Sequence, residues 1–276
     1  MISVNYLLIE KDGNIIDHRK FNLKLLSFRP QSLNHLHTFE DIEGRNGSIY
    51  KGTTFDKREL KATFLLKGSD YLGLKLLLIE INKLFATSSE VYLTHSEQMG
   101  KRWRVLTNSV FDPEYLNSRM ARFELDFISS QPFAESIGTT LDEFSPDSGL
   151  WGIGMNLPMG KDLIYRHRTN AFQIYNPSDV KIRPEEFPIK IFFKGESDGL
   201  LIKNNTTGDY VQYSGTTKSS DIITLDRLRH LKNGNSIFSA TSRTSLSLNP
   251  GWNSFVISGN SGSFEIWFDF RFYYYS

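Results

Sequence analysis

Alternation of apolar and polar residues runs through most of this chain and gives way once to a helical period. Residues 4–10 alternate, Lys11-Asp12-Gly13 makes a turn, and a second run starts at Ile15. Asp-Gly between two alternating runs predicts a β-hairpin. Residues 29–58 are more irregular and polar, with Gly44-Arg45-Asn46-Gly47 as a tight turn, and alternation returns over 60–66. Residues 69–87 then predict the one helix, with Ser69 as N-cap and Asp70 favouring the positive end of the helix dipole. Leu74, Leu77, Leu78, Ile81, Leu84 and Phe85 follow the helical spacing along one face. Leu72, Leu76 and Ile79 fall on the opposite side of the wheel, where a surface helix ordinarily carries polar residues.

Strand patterns resume at 91–94, 102–106 and 119–128. In the last, Phe123, Leu125 and Phe127 face one way and Glu124 and Asp126 the other. Pro132 ends that strand, and Ser, Gly and Pro become frequent up to Pro158. This places a domain boundary near Ser136, giving domains 1–136 and 137–276, both within the usual domain size. Beyond the boundary every element reads as a strand: 171–175, 189–193, 200–203, 210–213, 221–226, 254–258 and 264–274. In the last, Phe264, Ile266, Phe268, Phe270, Phe272 and Tyr274 share a face, with Glu265, Asp269 and Arg271 opposite. Short strands at this spacing predict an antiparallel sandwich.

Composition narrows the function classes. The 21 Phe and 12 Tyr lean towards β structure. The 32 basic residues balance 31 acidic ones, with a net charge of +1, so nothing points to nucleic acid as the main ligand. The absence of cysteine excludes disulfides, thiol catalysis and thiolate metal sites. The first residues have acids and no basic region before an apolar core, unlike a signal peptide. The most apolar run, 72–81, contains Lys75 and Glu80 and is too short for a membrane span.

Candidate chemistry is sparse. Gly152-Ile153-Gly154 begins like a dinucleotide fingerprint, but Leu157 stands where the third glycine is needed. His35 and His37 lie near Glu40, Asp41 and Glu43, yet no further ligand is spaced to complete a metal site, and a solvated loop is expected. Asp142-Glu143 and Glu185-Glu186 are adjacent carboxylates, which on a strand point to opposite sides and form no acid/base pair. Trp103, Trp151, Trp252 and Trp267 invite a sugar-binding reading, since aromatic faces can stack on sugar rings, but they are scattered as core residues are. In Lys101-Arg102-Trp103-Arg104 an alternating strand with Trp103 and Val105 inward is favoured over a nucleic-acid groove. No cofactor and no catalytic site are expected.

Several stretches carry a family likeness in order. They are the glycine turn Asp41 to Gly47, the helix from Ser69-Asp70-Tyr71 to Phe85 with its Leu84-Phe85 close, the strand Lys101 to Val105, and Phe123 to Phe133 with its closing proline. Ser148 to Gly152, Phe172 to Asn176, Leu201 to Gly208, the strand Ile222 to Asp226, and Leu248 to Asn253 continue it. The chain so read resembles the distal tail (Dit) proteins of siphophages that infect Gram-positive hosts, the siphovirus tail component family. The resemblance implies a mainly β chain, with a ring-forming N-terminal β-sandwich carrying one α-helix and a galectin-like antiparallel β-sandwich after it. It implies a non-enzymatic homohexamer, assembled in the host cytoplasm and placed at the distal end of the virion tail. Its implied partners are the tail-tube protein, the tail-associated hub or lysin protein, the tape measure protein and, in some relatives, receptor-binding proteins. DNA passes through the lumen only as cargo, and no membrane insertion is implied.

Within that frame Leu72, Leu76 and Ile79 have two readings: residues 29–58 fold over them, or they pack on a neighbouring subunit of the ring. The alternative function is a module of the adhesion device that binds carbohydrate or a receptor-binding protein. Against a lectin role, the galectin signature of a His-x-Asn-x-Arg strand with partnering Trp and Glu is absent, and His230 to Asn235 does not reproduce it.

Overall fold

The computed structural model describes residues 5–108, 112–158 and 160–276. Two compact units divide them: one runs through Glu135 and takes in Tyr275–Ser276, and the other is Ser136–Tyr274. Among the described residues, no helix is long and apolar enough to cross a membrane.

In the N-terminal unit, β1 (Leu7–Lys11) and β2 (Asn14–Asp17) form the hairpin that Asp12-Gly13 predicts, with both turn residues at positive φ. Val4, at the start of the first run, lies outside the described residues. The other strands are β3 (Leu23–Pro30), β4 (His35–Asp41), β5 (Ser48–Phe55), β6 (Arg58–Lys67), β7 (Val91–His95), β8 (Lys101–Thr107), β9 (Glu114–Asn117) and β10 (Met120–Ser129). The helix α1 (Tyr71–Phe85) joins β6 to β7. The sheet runs β2-β1-β7-β8-β10-β6-β3, with β9 beside β10, and its pairings are antiparallel. Among the described residues only two residue pairs, Phe127–Thr107 and Ile128–Leu106, join β8 to β10, so the sheet turns a corner there.

That corner lets the sheet close over one core. Leu7, Ile9, Val91, Leu93, Trp103 and Val105 come from one side of it. Leu25, Leu60, Phe64, Phe123, Leu125 and Phe127 come from the other. Inward residues sit two apart along each strand, as the pleat requires. The helix adds Leu74, Leu78, Ile81, Leu84 and Phe85, which are buried, and Phe85 packs on Phe64 and Phe127. Leu77, on the edge of that stripe, is half-buried.

The helix is shorter than residues 69–87, and its cap is displaced by one. Asp70 is the N-cap, its Oδ1 accepting from the Gly73 N–H at 2.7 Å, so Ser69 stands outside. A larger correction concerns residues 29–58. They hold the end of β3 and a two-stranded ribbon, β4 with β5, which pairs from His35–Phe55 to Asp41–Ser48 around the Gly44–Gly47 turn.

In the C-terminal unit two long strands, Ile189–Asn204 and Gly251–Phe270, pair from Ile189–Phe270 to Asn204–Phe255. Each appeared in the sequence as separate short strands. The register shifts at Gly195 and between Ser197 and Leu201, and there both strands bend. Glycine is required at the bend: Gly259 has φ of 78° and lies where a Cβ would meet the Gly199 carbonyl oxygen at 2.5 Å. Strands Arg166–His167 and Ile222–Asp226 pair with one half of the long pair, and Ala171–Asn176 and Tyr210–Gln212 with the other. Phe255 and Phe268, from opposite halves of a single strand, meet at 5.1 Å between ring centroids. The strand therefore contributes to both layers of an antiparallel sandwich. Phe264, Ile266, Phe268, Phe270, Phe272 and Tyr274 are all buried, as their alternation predicts.

Candidate functional site

No group of three or more His, Asp or Glu side chains positioned for a metal occurs among the described residues. His35 and His37 lie on β4, stacked at 6.0 Å and exposed, and not in a loop. Asp142-Glu143 lie in a loop and Glu185-Glu186 in a turn, so the strand geometry expected to separate them does not apply. Lys101 is buried. Arg102 pairs with Glu10 and Glu135 at 2.9 Å each, and Arg104 lies 3.5 Å from Glu90. The Lys101 to Arg104 tract is thus a paired strand, with Trp103 and Val105 inward as expected.

The tryptophans are equally committed. Trp103 lies under Arg58, and Trp267 between Phe192 and Arg166. Trp252 contacts Tyr175 and Lys161. Trp151 borders a cleft of about 920 Å³ with Phe144, Ile153, Met155 and Lys161. Its ring is stacked on Phe144 at 4.4 Å and contacts Phe272, and its Nε1–H donates to the Glu143 carbonyl.

What the N-terminal unit does present is apolar surface without a partner. Leu72, Leu76 and Ile79 are 73%, 65% and 52% exposed, so no described segment covers them, residues 29–58 included. Tyr71 continues that face at the start of the helix. Tyr115 and Leu116 extend it on β9, and all three are exposed. Lys75 ties the two parts together: its Nζ donates to the Tyr115 hydroxyl at 2.7 Å and lies 4.6 Å from the Tyr115 ring and 5.4 Å from the Tyr71 ring. That hydrogen bond raises the Lys75 pKa above its ordinary value, so the amine stays charged between the rings. Lys75 is half-buried, and Asn82 further along the helix is exposed. Tyr115 and Leu116 were missed because β9 is four residues long and exposed throughout, with no inward face to mark it.

The ribbon is the second such surface. Leu36, Phe39, Ile42 and Tyr50 are exposed on it, Phe39 and Tyr50 by 58% and 57%. On one face His35, His37, Phe39, Tyr50 and Phe55 form a ladder of rings, and His37 Nδ1 lies 2.7 Å from the Thr53 hydroxyl. Glu40 and Lys51 pair across the ribbon. A lone two-stranded ribbon is marginally stable in water, and among the described residues no third strand pairs with either outer edge. The pattern that could have revealed it, alternation in 35–39 and 48–55 around Gly44–Gly47, is present in the sequence but marks no single apolar face.

Residues 15–129 match the family model of the phage tail protein RIFT-related domain. Among solved structures, the SPP1 Dit (gp 19.1) protein is similar over 96% of this chain and 99% of its own, at 13% identity and a TM-score of 0.68. That protein is described as a paradigm of the hub adsorption apparatus in Gram-positive-infecting phages. A chain of the phage p2 baseplate in its activated conformation with Sr matches over 97% of both chains, at 10% identity and a TM-score of 0.44. No curated protein matches. The segment 15–129 thus carries a phage tail protein domain, and the chain has the mainly antiparallel β fold of SPP1 Dit. The likeness to siphophage distal tail proteins read from the sequence is borne out.

Proposed function

We propose that this chain is a non-enzymatic ring subunit at the distal end of a siphophage tail, a homohexamer joining the tail tube to the hub and host-attachment proteins. The exposed apolar face of α1 carries the reading. A monomer keeps water against Leu72, Leu76 and Ile79, whereas a ring buries them between neighbours. Burial contributes roughly 1.5 to 3 kcal/mol per side chain before entropic costs. Closed cyclic symmetry repeats that gain at every interface and leaves no end uncovered. The phage tail protein domain over 15–129 includes both the helix and the ribbon, which supports giving the N-terminal unit the ring. The SPP1 Dit description supports a place in the adsorption apparatus for the whole chain. The tail tube protein stacks above the ring and the tail-associated hub protein below, and the tape measure and then DNA pass through the lumen. A net charge of +1 suits a conduit that must release its cargo. The C-terminal sandwich, galectin-like in this reading, stands on the outer side towards any receptor-binding proteins.

Leu76→Asp tests the reading. A carboxylate at the centre of the face disfavours burial there, while the monomer loses nothing, because Leu76 already faces water. The variant is expected to keep the wild-type circular dichroism spectrum and to run at the mass of one chain. An unfolded variant, or one that still assembles, would show that the face is not the subunit interface.

A further inference from the structure

A single buried cation fixes the root of the β4–β5 ribbon. Arg58 stands three residues beyond the end of the ribbon at Phe55 and begins β6. Its Nε–H donates to the Gln31 carbonyl at 2.6 Å, on the chain leading into β4. Its Nη1 donates to the Pro132 carbonyl at 3.2 Å and the Tyr275 carbonyl at 2.8 Å, and Trp103 lies 4.8 Å from the guanidinium. Phe55, Phe133 and Tyr275 meet edge to face beside it, with centroids 5.7 to 6.2 Å apart. Two backbone hydrogen bonds close the root: Gln31 N–H to Glu59 O at 2.9 Å, and Asp56 N–H to Asn34 O at 3.0 Å. The chain leaves the N-terminal unit after Glu135 and returns to it at Tyr275. One guanidinium and one trio of rings thus hold both legs of the ribbon and both crossing points.

We propose that Arg58 and the Phe55–Phe133–Tyr275 trio form a latch that makes the ribbon root and the two crossing points open and close together. A partner chain that grips the ribbon then stiffens the segments at 130–135 and 275–276. The coupling follows from guanidinium geometry. Its fixed fork satisfies three carbonyls at once only while all three stay in place. Withdrawing one leaves a buried cation short of an acceptor, which weakens the hold on the other two. Segments tied this way exchange their amides as one unit. The proposal is independent of how many subunits a ring contains.

Hydrogen exchange on the full chain tests it. Tyr275→Ala removes one ring of the trio and leaves the backbone of both ribbon legs unaltered. It is expected to speed exchange about tenfold or more at the Gln31 and Asp56 amides, together with those of 130–135. Phe64 and Phe123, paired in the sheet, should keep their protection. Arg58→Lys, which keeps the charge and loses the fork, should loosen the same three places. If Tyr275→Ala loosens only 130–135 and 275–276 while Gln31 and Asp56 exchange as in wild type, there is no latch. Should Arg58→Lys fail to fold, Tyr275→Ala decides alone.

Discussion

Replacing Arg58 by methionine is expected to destabilise the N-terminal unit by about 3–5 kcal/mol, from the loss of three hydrogen bonds to a charged donor at about 1.5–3 kcal/mol each, part of which water recovers. Arg58 is only 6% exposed, and burial lowers its pKa from the ordinary arginine value while leaving it a cation at physiological pH. No carboxylate pairs with it among the described residues; the carbonyls of Gln31, Pro132 and Tyr275 accept its hydrogens instead. Methionine fills much of the volume but leaves those three part-buried acceptors without this donor. Lysine should recover only part of the loss, because one ammonium on a flexible stem cannot reproduce the planar fork. Denaturant unfolding measures both variants. A methionine variant within about 1 kcal/mol of wild type would show that the network adds little beyond its packing.

Phe268→Ala should cost a similar amount, about 3–5 kcal/mol, in the C-terminal unit. Phe268 is fully buried on the strand Gly251–Phe270, and its ring meets Phe255 from the other half of that strand and Phe172 from Ala171–Asn176. Deleting it removes contacts between both layers and leaves a cavity among the rings of Phe172 and Phe255. The adjacent residue provides the control. Trp267 points to the other side of the strand and stacks on Phe192 at 5.0 Å, so Trp267→Ala should cost no more than about 1–2 kcal/mol despite the larger side chain. Equal losses for the two variants would mean that the halves of the strand do not face each other across one core.

These residues show what the sequence makes legible. Period-two alternation found the inward faces of β6, β10 and the last strand, because each has one face in the core and one in water. Helical periodicity found α1 for the same reason, missing the cap by one because Ser69 and Asp70 are both good caps. Alternation failed at the ribbon, where polar and apolar residues occupy both faces. It also divided the two long strands of the C-terminal unit, since Gly195, Gly259 and Gly262 read as turns when they are bends within continuous strands. Arg58 gave no signal, because a buried cation held by distant carbonyls looks in sequence like any surface arginine. The exposed stripe of α1 was legible as an anomaly. Its cause was not, since a stripe covered by the chain's own loop and one left for a neighbour have the same spacing.

Multi-angle light scattering on the purified wild-type chain, with negative-stain images of the same sample, tests the ring most directly. Six copies of the 31.7 kDa chain, or twice six, in particles with a central lumen are predicted. A single-chain mass at every concentration, with no ring in the images, would contradict it.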